Sequence, residues 1–165
     1  MPNARNSPPK VGRDHQRPPF VGALLRIVYQ ETRARSLKAL EEKGFDDLNQ
    51  ALLNVMVYPH PDRVRPSELA KRTNMTKQAM NYLLVQLEAL GYIERRAENG
   101  DRRRLVFLTR RGWEVVDTMR AAVRQVEAEW TAVLGEKRFE QFMDMLRQLS
   151  GIDTTDPQPR SARRR

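Results

Sequence analysis

Lys77, Gln78, Asn81 and Tyr82 are spaced so that a helix would gather them on one face. Each ends in a hydrogen-bonding group. A side-chain amide can pair with the N6 and N7 edge of adenine in a major groove, and an ammonium or phenol hydroxyl can reach phosphate. A little further on, Arg95, Arg96, Arg102, Arg103 and Arg104 crowd into one short stretch. Their guanidinium groups match phosphate oxygens in geometry and charge. With Thr76 just ahead of the first group, these residues are the candidate DNA contacts. The charge distribution agrees with that chemistry. Between Arg63 and Arg111 stand 12 basic and 5 acidic residues, against 9 and 7 from Met1 to Asp62 and 9 of each from Gly112 to Arg165, so most of the net charge of +9 lies on this stretch. Nucleic acid is the polyanion that a compact basic module most often meets.

Two helices and a hairpin would hold these residues in place. Pro66 suits the first position of a helix, where its missing N–H has no partner to lose, and Leu69 and Ala70 then face inward. Thr76 is placed to cap a second helix, in which Met80, Leu83, Leu84, Leu87 and Leu90 form an apolar stripe opposite the polar face. Gly91 supplies the stop. The Thr-Asn-Met step between the two helices leaves room only for a tight corner, which is helix-turn-helix spacing. Tyr92 to Arg96 and Arg104 to Leu108 then have strand character, and Asn99-Gly100 between them signals a β-hairpin because both residues accept left-handed backbone angles. A basic hairpin after a helix-turn-helix makes a winged helix. The expected fold class is mainly α, with a small β-hairpin wing.

The flanking sequence predicts longer helices. Phe20 to Gly44 places Phe20, Leu24, Ile27, Val28, Leu37 and Leu40 near one stripe. A shorter helix is expected from Asp46 or Asp47 to about Val57, capped by Asp46 and ended by Tyr58-Pro59-His60-Pro61. Arg110 to about Val133 carries Val115, Val116, Met119, Val123, Val126, Trp130 and Val133 at helical intervals, and after Gly135 the pattern resumes from Glu136 to Leu149. Such stripes, outside a small reader, have to be buried somewhere. A partner chain is the economical place, and a self-contained bundle is the alternative. The layout expected is a winged helix-turn-helix at 63–108, a helical dimerisation region at 20–62 and 109–150, and disordered basic tails at 1–19 and 151–165.

Several short motifs sit together in the middle of the chain: Glu68-Leu69-Ala70, Leu87-Glu88, Gly91-Tyr92-Ile93-Glu94-Arg95, an Asp101-x-Arg103 in the wing, and Leu108-Thr109-x-x-Gly112 leading into a long helix. In these, and in layout from about Phe20 to Leu149, the sequence resembles the MarR-type (multiple antibiotic resistance regulator) winged-helix transcription factors. The resemblance implies a homodimer whose N- and C-terminal helices interlock. Two such readers would meet the half-sites of a near-palindromic double-stranded operator, ~34 Å apart. It further implies a sequence-specific transcriptional regulator, a repressor released by a small organic effector, aromatic or anionic, held between the dimer helices and the winged helix. Tyr29, Phe45, Tyr58 and Trp113 are the aromatics expected near that junction, with Arg26 or Arg33 to receive an anion. Where Tyr82 stands the family often has a basic residue, so this side chain is expected to touch phosphate or a thymine methyl instead.

Other classes find little support. The chain has no Cys, which excludes disulfides, thiolate metal sites, cysteine nucleophiles and the thiol-based sensing that some members of the resembled family use. His15 and His60 belong to no ligand cluster, so no metal or other cofactor is expected. No Gly-rich phosphate loop, nucleophile elbow or catalytic carboxylate pair stands out, and an enzyme is not expected. No apolar run approaches the roughly 18 residues of a membrane span, and the first residues lack the apolar stretch of a signal peptide. A cytoplasmic protein is the simple expectation. The alternative within DNA binding is an architectural, weakly specific protein without an effector. Gln78 and Asn81 discriminate, because paired contacts to adenine serve only a protein that reads sequence.

Overall fold

Short local signals place most of the helix ends. The computed structural model describes residues 19–57, 60–97 and 104–151. Residues 1–18 and 152–165 of the expected tails, Tyr58, and the hairpin tip with Asn99, Gly100, Asp101, Arg102 and Arg103 lie outside the described residues. The fold is a winged helix-turn-helix with long flanking helices, as the motifs imply.

Helix α1 (Val21–Glu41) precedes α2 (Gln50–Met56), which starts later than the acidic residues suggest. Asn49, rather than Asp46, is the N-cap, its side-chain oxygen accepting the Leu52 N–H at 3.0 Å. Residues 46–48 stay outside the helix because Leu48 is buried and Asp47 is held by Tyr92 and Arg111. Helix α3 (Pro66–Arg72) begins at its proline, and α4 (Lys77–Ala89) begins after Thr76, whose hydroxyl oxygen accepts the Ala79 N–H at 3.1 Å. Asn74 turns the corner between them at φ +53°, a conformation that asparagine tolerates better than most residues. Strand β1 (Ile93–Ala97) pairs antiparallel with β2 (Arg104–Leu108), Ile93 opposite Leu108 and Ala97 opposite Arg104. Val64 bridges to Val106 on the other edge of β2, tying the hairpin to the entry of α3. Helices α5 (Arg110–Leu134) and α6 (Glu136–Ser150) meet at Gly135.

The core is centred under the reader. Met80, Leu84 and Leu87 of the α4 stripe are fully buried with Leu69, Tyr92, Ile93, Val106 and Val115, while Leu90 at the end of the stripe is half-buried. Each such side chain contributes roughly 1.5 to 3 kcal/mol of transfer free energy. Helix α2, expected with the dimer helices, adds Leu52, Leu53, Val55 and Met56 to this same core. Helix α1 lies along α5, and α6 folds back against the end of α5. Their apolar faces are only partly covered. Of the expected α1 stripe only Leu40 is buried; Phe20, Leu24, Ile27, Val28 and Leu37 are exposed, and no residue of α6 is fully buried.

Where the wing joins α5, the Leu-Thr-x-x-Gly motif has a physical reading. Thr109 caps α5 by accepting the Gly112 N–H at 3.1 Å, and its hydroxyl donates to the Gly91 carbonyl at 2.6 Å. One side chain thus joins the end of α4 to the start of α5. Gly112 lets that first turn press against Tyr92, since a Cβ there would lie 2.1 Å from the Tyr92 carbonyl oxygen. Among the described residues no helix is long and apolar enough to cross a membrane.

Candidate nucleic-acid interface

The buried stripe of α4 fixes which side of the helix faces outward. Thr76, Lys77, Gln78, Asn81 and Tyr82 are all exposed on it, Tyr82 to 67%. Five of the expected contact residues are therefore brought together on one convex face. Beside it, the described arms of the hairpin carry exposed Arg96 and Arg104. The Arg96 guanidinium lies over the Phe107 ring, 4.1 Å from its centre, with its Nε 3.1 Å from Glu94. Arg102 and Arg103, expected to meet phosphate, lie outside the described residues.

Arg95 differs from its neighbours. Sequence places it among the outward cations, but its side chain is only 17% exposed and turns back onto α4. Its Nη2 and Nε donate to Glu88 at 2.6 and 2.9 Å, its backbone N–H donates to the other oxygen of the same carboxylate at 3.0 Å, and its Nη1 donates to Asn81 Oδ1 at 2.9 Å. The guanidinium holds the Glu88 carboxyl below its ordinary value, mainly through the side-chain hydrogen bond. Arg95 is thus an internal brace between wing and recognition helix. Glu88, which charge alone did not flag, stands two turns after Asn81 on the same face, and that spacing is the signal that could have found it.

A second polar knot supports the reader from behind. The Tyr92 hydroxyl donates to Asp47, and Arg111 Nη2 donates to Asp47 at 2.7 Å and to the Tyr92 oxygen at 3.0 Å. Burial first, then hydrogen bonding to Asp47, pushes the Tyr92 phenol up to about 12. The knot ties the loop before α2 to the residue that leads into β1 and to the first turn of α5.

A cavity of about 440 Å³ opens between the end of α2 and the middle of α5. Met56, Val57, Val116, Met119 and Val123 give it apolar walls, and His60, Arg120, Arg124 and Glu127 supply polar groups. Among the described residues, none of the aromatic or basic side chains expected at an effector site lines it. Trp113 packs behind it, edge-on to His60 with ring centres 5.1 Å apart. Phe45 instead packs against Tyr92, Tyr29 is exposed on α1, Arg26 bonds Gln30 at 3.2 Å, and Arg33 donates to Gln50. Phe45 and Trp113 thus go to packing and Tyr29 to the open α1 face, whereas the cavity is lined by the end of α2, His60 and the turns of α5 that follow Trp113. Tyr58 lies outside the described residues.

Burial, and then the nearby charge of Arg120, lower the His60 pKa from its ordinary 6.5, against a smaller opposing effect of Asp62. The unfolded chain therefore takes up a proton at a higher pH than the folded one. The neutral imidazole contributes stability that is present above the unfolded value and lost as the pH falls below it. The thermal midpoint of the protein should drop more between about pH 7 and about pH 5 than that of His60→Gln. Parallel curves for the two would remove His60 from the acid response.

Residues 50–104 match the sequence model of the MarR family. By structure the chain is similar to a MarR family protein of Mycobacterium tuberculosis in complex with salicylic acid, at 30% identity and a TM-score of 0.54, over 80% of this chain and 97% of that one. The same protein in complex with DNA gives 27% identity and a TM-score of 0.56, over 80% and 98%. The S. aureus MepR–DNA complex, at 24% identity and a TM-score of 0.58 over 81% and 97%, shares the fold. No curated protein matches the chain by sequence.

Proposed function

The chain belongs to the MarR family, and on that premise we propose that it is a homodimer that reads a near-palindromic operator, represses transcription there, and is released by a small aromatic or anionic molecule. The observation that carries this reading is the outward face of α4, where Lys77, Gln78, Asn81 and Tyr82 stand exposed opposite a buried stripe. Rigid backing of that kind suits direct readout in a major groove, with the wing cations on the flanking backbone. The uncovered apolar residues of α1 and α6 support a second copy as partner, which sets two readers one DNA turn apart. The cavity beside α5 supports the effector: apolar walls with Arg120 and Arg124 suit a flat carboxylate. The DNA and salicylic acid complexes of the M. tuberculosis relative support the same two ligand classes.

The test begins with selection of bound duplexes from random fragments by the purified protein. Analytical ultracentrifugation on the selected site should give two chains per duplex. Salicylate that weakens operator binding tenfold should itself bind tenfold more weakly to the complex, a coupling of about 1.4 kcal/mol. A single chain on one half-site would sink the dimer. Equal binding to selected and random duplexes would favour an architectural protein instead.

A further inference from the structure

Asn81 is exposed on the reading face of α4, yet one end of its amide is already engaged by Arg95 Nη1 at 2.9 Å. An arginine only donates hydrogen bonds, so the Asn81 atom facing it is the carbonyl oxygen and the amide nitrogen points the other way. Arg95 is in turn fixed by Glu88, through three hydrogen bonds of 2.6 to 3.0 Å. The orientation of Asn81 is therefore set by a brace that reaches it from β1.

We propose that the Glu88–Arg95 pair makes Asn81 a donor-only reader, selecting a guanine where an unbraced asparagine would select adenine. This rests on the operator reading proposed above and goes further, assigning base choice to two residues that touch no DNA. A paired contact to adenine needs the carbonyl oxygen to accept from N6 and the amide nitrogen to donate to N7. With the oxygen turned to Arg95 and one of its two lone pairs taken, the N–H groups are the end of the amide left for a groove. Guanine offers acceptors at both N7 and O6 and no donor on that edge, so it suits the N–H groups alone. Arg95 is a positioning residue in this scheme, and its charge is neutralised by Glu88 rather than by phosphate.

Duplex selection with four full-length proteins tests the idea: wild type, Asn81→Ala, Arg95→Met, and Arg95→Met combined with Glu88→Gln. The combined variant leaves no orphaned carboxylate, and the Gln oxygen can still accept the backbone N–H of residue 95, so it guards against simple misfolding. The wild type should enrich a guanine whose preference disappears in Asn81→Ala. In both Arg95 variants that position should move toward adenine by roughly fivefold or more, the lower end of one base contact. The slope of log affinity against log salt should stay at the wild-type value, whereas a lost phosphate contact would flatten it by ~0.9. An Asn81-dependent adenine in the wild type, a guanine unmoved by the combined variant, or a flattened slope would each overturn the proposal. A wild type that enriches no sequence would strike the operator reading itself, and this inference with it.

Discussion

A chain carrying Leu24→Glu and Ile27→Glu should sediment as a monomer and bind its operator ~10²- to 10⁴-fold more weakly, the range lost when two linked binding events become one. Both residues are exposed, to 49% and 53%, on the half of α1 that its own subunit leaves open. Their substitution should barely disturb the isolated fold, so helix content by circular dichroism stays while association fails. In the proposed dimer the same carboxylates would be buried without partners, at several kcal/mol each. Sedimentation and operator titration on one sample separate the two effects. A dimer of unchanged strength would take the N-terminal half of α1 out of the interface.

The second large effect is expected at Gly112. Its absent Cβ would stand 2.1 Å from the Tyr92 carbonyl oxygen and 2.9 Å from Leu108 Cδ2. Tyr92 has little freedom to retreat: it is fully buried, its carbonyl accepts the Thr109 N–H at 3.1 Å, and its hydroxyl is held by Asp47 and Arg111. Gly112→Ala should therefore cost on the order of 3 kcal/mol or more, a large share of the ~5 to 15 kcal/mol that stabilises a typical domain. At fixed protein concentration the thermal midpoint should fall by about 10 °C. Gly22→Ala is the counterpart, because nothing lies within 4 Å of its Cβ position and the helix around it favours alanine. That variant should melt at or slightly above the wild-type temperature. If Gly112→Ala melts with it, the close approach to Tyr92 carries no energetic weight.

Elements whose ends are written in one or two residues were legible in the sequence. Pro66, Thr76 and Gly91 delimit α3 and α4 because a missing N–H, a capping hydroxyl and a positive φ act at the residue itself. The start of α2 was not legible, because Asp46 and Asn49 are both competent caps and the choice fell to Asp47 and Leu48, which are held by distant groups. Val64 is a single bridged residue and forms no pattern to read. At the site, the outward face of α4 followed from its stripe. Arg95 was misplaced among the outward cations because a formal charge does not say where it is neutralised, and Glu88 lies across a turn from it. The lining of the cavity was not legible for a related reason: apart from its polar groups it consists of ordinary valines and methionines at the end of α2 and along α5, which read as core packing.

Helix α5 runs unbroken from Arg110 to Leu134, a length of ~37 Å at 1.5 Å per residue. Its first turn is pinned to the reader through Thr109, Gly112 and Arg111, and near its far end Glu129 takes two hydrogen bonds of 3.1 Å from Arg35 of α1. The cavity borders the stretch between these anchors. Mechanically this is a stiff beam with its load at one tip and its bearing at the other. A tilt of about 5° at the bearing carries the tip ~2.5 Å over the roughly 28 Å from Glu129 back to Arg110, most of one base-pair step of ~3.4 Å. In the proposed release, a molecule wedged beside the beam would not need to touch the reader to misalign it: a small angle would suffice, and the beam's length would do the amplification.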